Sequence, residues 1–92
     1  MPKAKTWAAA SPVEDLPGIG VSLGQDLRSM GHATVGSLKG VDPEALFARF
    51  ERKAGRQDPC VLYTFRCAVY AASTPKPAPE KLRWWWWKGK TL

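Results

Sequence analysis

Apolar residues recur along this chain at intervals of three and four rather than two, and the runs they form are closed by glycine or opened by proline. From Val21 onward, Leu23, Leu27 and Met30 mark one face of a helix that Gly31 closes with a left-handed cap. Thr34 opens a short helix through Lys39, with Val35 and Leu38 facing inward and Gly40 ending it. Asp42-Pro43 is a stronger start signal, an Asp cap followed by proline at the first helical position. The helix it opens turns Leu46, Phe47 and Phe50 inward and ends near Ala54-Gly55. Asp58-Pro59 repeats that signal before a run in which Val61, Leu62, Phe65, Ala68, Val69 and Ala72 share one broad face. That width predicts the core helix against which the others pack.

The first element is shorter. Ser11-Pro12-Val13-Glu14 has the form of a capping box, a Ser cap with Glu three residues on, and predicts a helix over about Pro12 to Leu16. Pro17 then disfavours helical geometry at Leu16, and Gly18 and Gly20 allow a sharp reversal into the helix at Val21. The turn Pro17-Gly18-Ile19-Gly20 therefore joins two helices. Its glycines have two readings: they hold an anion on bare amides, or they let two helices meet.

Residues 73–81, STPKPAPEK, carry three prolines and predict an extended connector. It leads to Trp84, Trp85, Trp86 and Trp87 in succession, followed by Lys88-Gly89-Lys90. Successive side chains diverge in any regular structure, so these rings cannot all face one way. Some fold back over the helices as a lid, or they form a contact patch for a partner, an aromatic and basic platform for nucleic acid. The expected architecture is all-α: a compact bundle of about five short helices over residues 11–73. A flexible N-terminus spans residues 1–10, and an extended Pro/Trp-rich connector and tail spans residues 74–92.

Ninety-two residues with 45% hydrophobic positions support one small core and no second one. No apolar run approaches the roughly 20 residues of a membrane span, and no secretory signal follows Lys3 and Lys5, so the expected compartment is the cytoplasm and no membrane partner is expected. The net charge of +6 is unevenly placed. Residues 13–48 sum to −3 and residues 49–92 to +7, so the basic charge lies away from the glycine turn in sequence. Arg49, Arg52 and Lys53, extended by Arg56, form a stripe that is either a solvated face or a secondary phosphate contact. Tyr63, Arg66 and Tyr70 fall on an adjoining face, where tyrosine rings cover a core more often than they stack on bases.

Catalytic chemistry finds no foothold. No Ser-His-Asp or Cys-His set is evident, and His32 has no partner at metal-ligand spacing, so neither an enzyme nor a cofactor is expected. Cys60 and Cys67 stand about 10 Å apart along one helix, too far for a disulfide, and are expected as buried or half-buried small apolar groups. The glycine order G-x-G-x-x-x-G after a helix fits neither a dinucleotide loop nor a nucleoside-triphosphate loop.

Val13 to Gly20, followed by Leu23 and Leu27, resembles the helix-hairpin-helix motif: hydrophobics three apart, a Pro-Gly-hydrophobic-Gly hairpin and a hydrophobic helix. Asp58 to Tyr70 and Leu82-Arg83-Trp84-Trp85 extend the resemblance, over residues 11–88, to the small bacterial pathogenicity-locus family. The resemblance implies DNA binding without base reading. Backbone N–H groups of Gly18, Gly20, Val21 and Ser22 would meet phosphates, Ile19 would plug into the core, and Arg28 would be the first basic residue of the second helix. Ser22, Gln25 and Asp26 stand where strong DNA binders carry a basic residue, and Gly24 stands where they carry alanine. The alternative is a protein-interaction module that uses Trp84–Trp87 and the exposed aromatics; the sequence leaves the oligomeric state open.

Overall fold

The computed structural model describes residues 7–90. Among them the fold is all-α and mostly helical, with three α-helices: α1 (Val21–Ser29), α2 (Pro43–Ala54) and α3 (Pro59–Ser73). The other two helices expected from the sequence are single 3-10 turns, Val13–Asp15 and Val35–Leu38. Two more 3-10 turns, Pro79–Leu82 and Trp84–Trp87, lie in the C-terminal segment expected to be extended.

The strongest start signals form as expected. Asp42 and Asp58 each accept a hydrogen bond from the amide two residues on, at 3.0 Å from Glu44 and 2.8 Å from Cys60, and Pro43 and Pro59 open the helices. Helix α3 is the centre of the core, as its broad apolar face requires. Phe65 is fully buried, with the rings of Phe47 and Phe50 tilted against it at centroid distances of 6.3 and 5.8 Å. Val13, Leu16, Ile19 and Leu27 close the same core from the N-terminal side.

The capping box does not form. The Ser11 carbonyl accepts from Val35 N at 2.9 Å while Val13 N donates to Ala33 O at 3.1 Å, a small bridge that ties the chain start to the Thr34 segment. With its backbone in that bridge, the segment makes one 3-10 turn before Pro17 stops it, and Glu14 turns to Arg28 instead of back to Ser11. The first six residues of the expected flexible N-terminus lie outside the described residues. From residue 7 the chain is tied down: the Trp7 indole donates to Asp15 O at 2.8 Å, and Ala9 O accepts from Gly36 N at 2.9 Å.

The C-terminal segment packs rather than trails. Trp84–Trp87 lies along α3, and a 3-10 turn eclipses positions three apart, so Trp84 and Trp87 both turn toward the body. Trp87 is buried, its ring 5.3 Å from that of Tyr70 and its indole nitrogen donating to Lys81 O at 2.9 Å. Trp86 is half-buried under the ammonium groups of Lys90 and Lys81, at 4.4 and 5.2 Å from its ring. Trp85 is left exposed. The four rings thus divide between packing on the body and exposure to solvent. Tyr70 turns its ring to Trp87 and to the Lys81 ammonium, 5.7 Å from its centroid, and its hydroxyl accepts from the Ala78 amide, so the ring covers the tail contact.

Candidate functional site

The reversal before α1 is a tight turn in which Ile19 N donates to Leu16 O at 3.2 Å across Pro17 and Gly18. Pro17 fits the second position of such a turn, and Gly18, at φ +80°, takes the left-handed third position. Leu16 and Ile19 are buried on either side, so the turn is fastened at both ends while Gly18 and Gly20 remain exposed. Gly20 caps α1 with extended backbone and no side-chain acceptor, and its own carbonyl accepts from Gly24 N at 2.8 Å. Ile19 N is used by the turn. Among the described residues, the amides of Gly18, Gly20, Val21 and Ser22 have no acceptor within the protein. Four N–H groups at the positive end of a nine-residue helix are a concentrated set of bare donors.

The wall beside this turn comes from the far end of the chain. A Cβ built on Gly18 would stand 2.9 Å from Thr64 Cγ2 and 3.8 Å from Trp84 Cβ. Gly18 is therefore required twice, by its backbone angle and by the close approach of α3. One turn before Thr64 on α3, the Cys60 thiol lies within electrostatic reach of Lys88. The tail thus brings Trp84 against the turn and a cation to the adjoining end of α3. Val21 at 73% and Trp85 at 58% exposure are the large hydrophobic side chains left most open among the described residues.

Arg28 is placed elsewhere. It lies in the last turn of α1, about 10 Å along the axis from Val21, and Glu14 holds it through two hydrogen bonds of 2.7 and 2.9 Å. Arg49, Arg52 and Lys53 also gather at that far end: Arg49 donates to Met30 O at 3.2 Å and Lys53 to Ser29 O at 3.2 Å. With Ser29 and Met30 they line a cleft of about 350 Å³. Arg56 lies beyond the end of α2, exposed. The residues singled out in the sequence thus separate into two groups, bare amides at the start of α1 and cations at its end. The sequence could not place the second group there, because the bonds that seat it join residues 19 and 24 apart.

His32 Nδ1 lies 3.0 Å from Ser37 O, and among the described residues no group of three or more His, Cys, Asp or Glu side chains is arranged to hold a metal ion. Cys67 is buried as expected, and burial pushes its thiol up to about 12. Cys60 is exposed, contrary to the expectation for both thiols, because it stands in the first turn of α3 beyond the core. Among the described residues no helix is long and apolar enough to cross a membrane.

The model of the family described as "Cdd1: Pathogenicity locus" matches residues 6–91, nearly the whole chain. No curated protein and no solved structure matches it significantly.

Proposed function

The chain belongs to the pathogenicity-locus family, and from that premise and the geometry of the glycine turn we propose that it binds DNA through the phosphate backbone without reading base sequence. The turn and α1 form the core of a helix-hairpin-helix unit, with the 3-10 turn Val13–Asp15 in place of a full first helix. The observation that carries the reading is the set of bare amides at Gly18, Gly20, Val21 and Ser22, held on a fastened turn at a helix N-terminus. Ile19 supplies the fastening from the core side. Backbone amides reach phosphate oxygens but not base edges, so this contact fixes position and carries no sequence information. The net charge of +6 adds general attraction to a polyanion.

Gly20 provides the test. A side chain there meets nothing within 4 Å, and its φ of −89° suits any residue. Gly20→Asp should therefore fold, and its carboxylate caps the same amides that a phosphate would occupy. Duplex binding followed by fluorescence anisotropy should weaken at least tenfold in Gly20→Asp. With two or three phosphates engaged, the slope of log K against log salt should be about −2 to −3. Unchanged affinity in Gly20→Asp would remove the hairpin from the binding site.

The exposure of Trp85 beside the half-buried Trp84 supports a second reading, a protein-interaction module whose contact is the tail. A partner captured through the tail would survive nuclease treatment and be lost in Trp85→Ala, whereas a DNA-bridged one would not survive.

A further inference from the structure

The cleft at the far end of α1 is built from the ends of two helices. Ser29 and Met30 supply backbone carbonyls from α1, and Arg49, Arg52 and Lys53 project from the last two turns of α2. Met30 is buried beneath them. Cations beside helix C-termini ordinarily answer the negative end of the macrodipole, and Arg49 and Lys53 do so through one hydrogen bond each. The charges do not balance at that level. Two helix ends carry about half a negative charge each, against three positive side chains, leaving an excess of about +2.

Among the described residues no carboxylate forms an ion pair with these three cations. The ion pairs among the described residues are Arg28 with Glu14, which neutralise each other at the last turn of α1, and Arg66 with Glu44; neither includes a cleft cation. Glu51, the acid on this stretch of α2, turns its carboxylate to the Gln57 amide instead. Arg52 makes no hydrogen bond or ion pair among the described residues. A guanidinium has five N–H donors and an ammonium three, so most of the donor capacity around the cleft is unused. We propose that this cleft is a phosphate-binding site, in which Arg49, Arg52 and Lys53 receive a phosphate ester or diphosphate group. The excess of about +2 matches the charge of about −1.5 to −2 on a phosphate monoester near neutral pH, and planar guanidinium groups suit its oxygens.

The site is distinct from the hairpin, about 13 Å away along nine residues of α1. That distance equals the axial rise of about four base pairs of a duplex at roughly 3.4 Å each, so a bound duplex, through its phosphodiesters, and a free phosphorylated compound can each present phosphate oxygens to the cleft. Amide NMR of the full chain, titrated separately with pyrophosphate and with a short DNA duplex, distinguishes them. The expected result is a response of Ser29, Met30 and residues 49–53 that weakens about tenfold in Arg52→Gln, with far-UV circular dichroism and melting temperature kept. Response to both ligands, or to pyrophosphate alone, assigns the site to phosphate groups generally or to small phosphorylated compounds. Response to DNA alone, with the salt slope reduced by about 1 in Arg52→Gln, assigns it to the nucleic-acid backbone. No response of these amides to either ligand, or unchanged affinity in Arg52→Gln, overturns the proposal. Gly20→Asp separates the two sites: a cleft that still takes pyrophosphate in that variant stands whatever becomes of hairpin binding.

Discussion

Glu14 grips Arg28 across the flank of α1 with both carboxylate oxygens, Oε2 accepting from Nε at 2.9 Å and Oε1 from Nη2 at 2.7 Å. The hydrogen bonds from Arg28 hold the Glu14 carboxyl at about 2, against its usual 4.5. A carboxylate whose pKa is lowered by folding adds stability that is fully present above its unfolded pKa and is lost as pH falls through the folded value. The contribution should therefore fade between about pH 4.5 and pH 2. Urea denaturation of the native chain and Glu14→Gln should show a gap at pH 7 that closes by pH 2 and narrows at high salt, since both groups are solvent-accessible.

Gly24 is the reason the grip fits. A Cβ there would stand 2.5 Å from Glu14 Cγ and Oε2, directly in the path of the side chain. In Gly24→Ala, Glu14 must swing away from Arg28, while the helix gains about 1 kcal/mol of intrinsic propensity. With the propensity gain set against the lost ion pair, the variant should change little in stability at pH 7, and carboxyl NMR should show Glu14 titrating back toward 4.5. An unmoved Glu14 titration would show that α1 shifts instead.

The two thiols should part in reactivity. Cys67 is buried with its thiol pushed up to about 12, and its sulfur lies 3.5 Å from Lys81 O, so iodoacetamide should reach it only after unfolding. Cys60 is exposed, but hydrogen bonding with Asp58, aided by some desolvation, raises its thiol above the ordinary value. It should alkylate slowly at pH 7.5 and faster as pH rises. Asp58→Asn, which keeps a side-chain cap, should speed the reaction, and intact-mass spectrometry counts the adducts.

Sequence periodicity was sufficient for α1, α2 and α3 because each carries its own start or stop chemistry: Asp-Pro at 42–43 and 58–59, and left-handed Gly31 and Gly55 after α1 and α2. It failed where long-range contacts outweigh local signals. Ser11 and Glu14 satisfy a capping-box pattern, but the Ser11 carbonyl pairs with Val35 N and Glu14 with Arg28. The prolines of 73–81 forbid an α-helix but not a 3-10 turn, and Pro79–Leu82 forms one. The hairpin was legible because a Pro-Gly turn between Leu16 and Ile19 is a local device; its Trp84 wall was not, since 66 residues separate that side chain from Gly18.

Arg66 fastens the tail to the bundle. It is buried on α3, donates to Glu44 Oε1 at 2.8 Å on α2, and reaches Trp87 O at 3.2 Å. Arg66→Met keeps the apolar stem but leaves the Trp87 carbonyl without this donor, and charge-assisted bonds of this kind contribute about 2 kcal/mol. Melting temperature should fall by roughly 10 °C, and tryptophan emission should shift to the red as Trp87 meets water. Glu44→Gln should cost less, because its amide oxygen still accepts from Arg66. Emission unchanged in Arg66→Met would mean that Tyr70 and Lys81 hold Trp87 without it.

The two hairpin glycines should respond in opposite ways. At Gly18 an alanine meets a φ of +80°, which costs about 1–2 kcal/mol, and a Cβ 2.9 Å from Thr64 Cγ2, a branched side chain with little freedom on α3. Gly18→Ala should therefore lower the melting temperature by about 5 °C or more, and Gly18→Ala with Thr64→Ser should recover the steric part and not the backbone part. At Gly20 neither cost exists, and aspartate is a better helix cap than glycine by a few tenths of a kcal/mol. Gly20→Asp should melt at or slightly above the native temperature. Thermal melts of the four proteins check both claims, and they decide how any loss of DNA affinity is read: in Gly20→Asp it reports the amides, in Gly18→Ala it mixes the amides with a loosened turn.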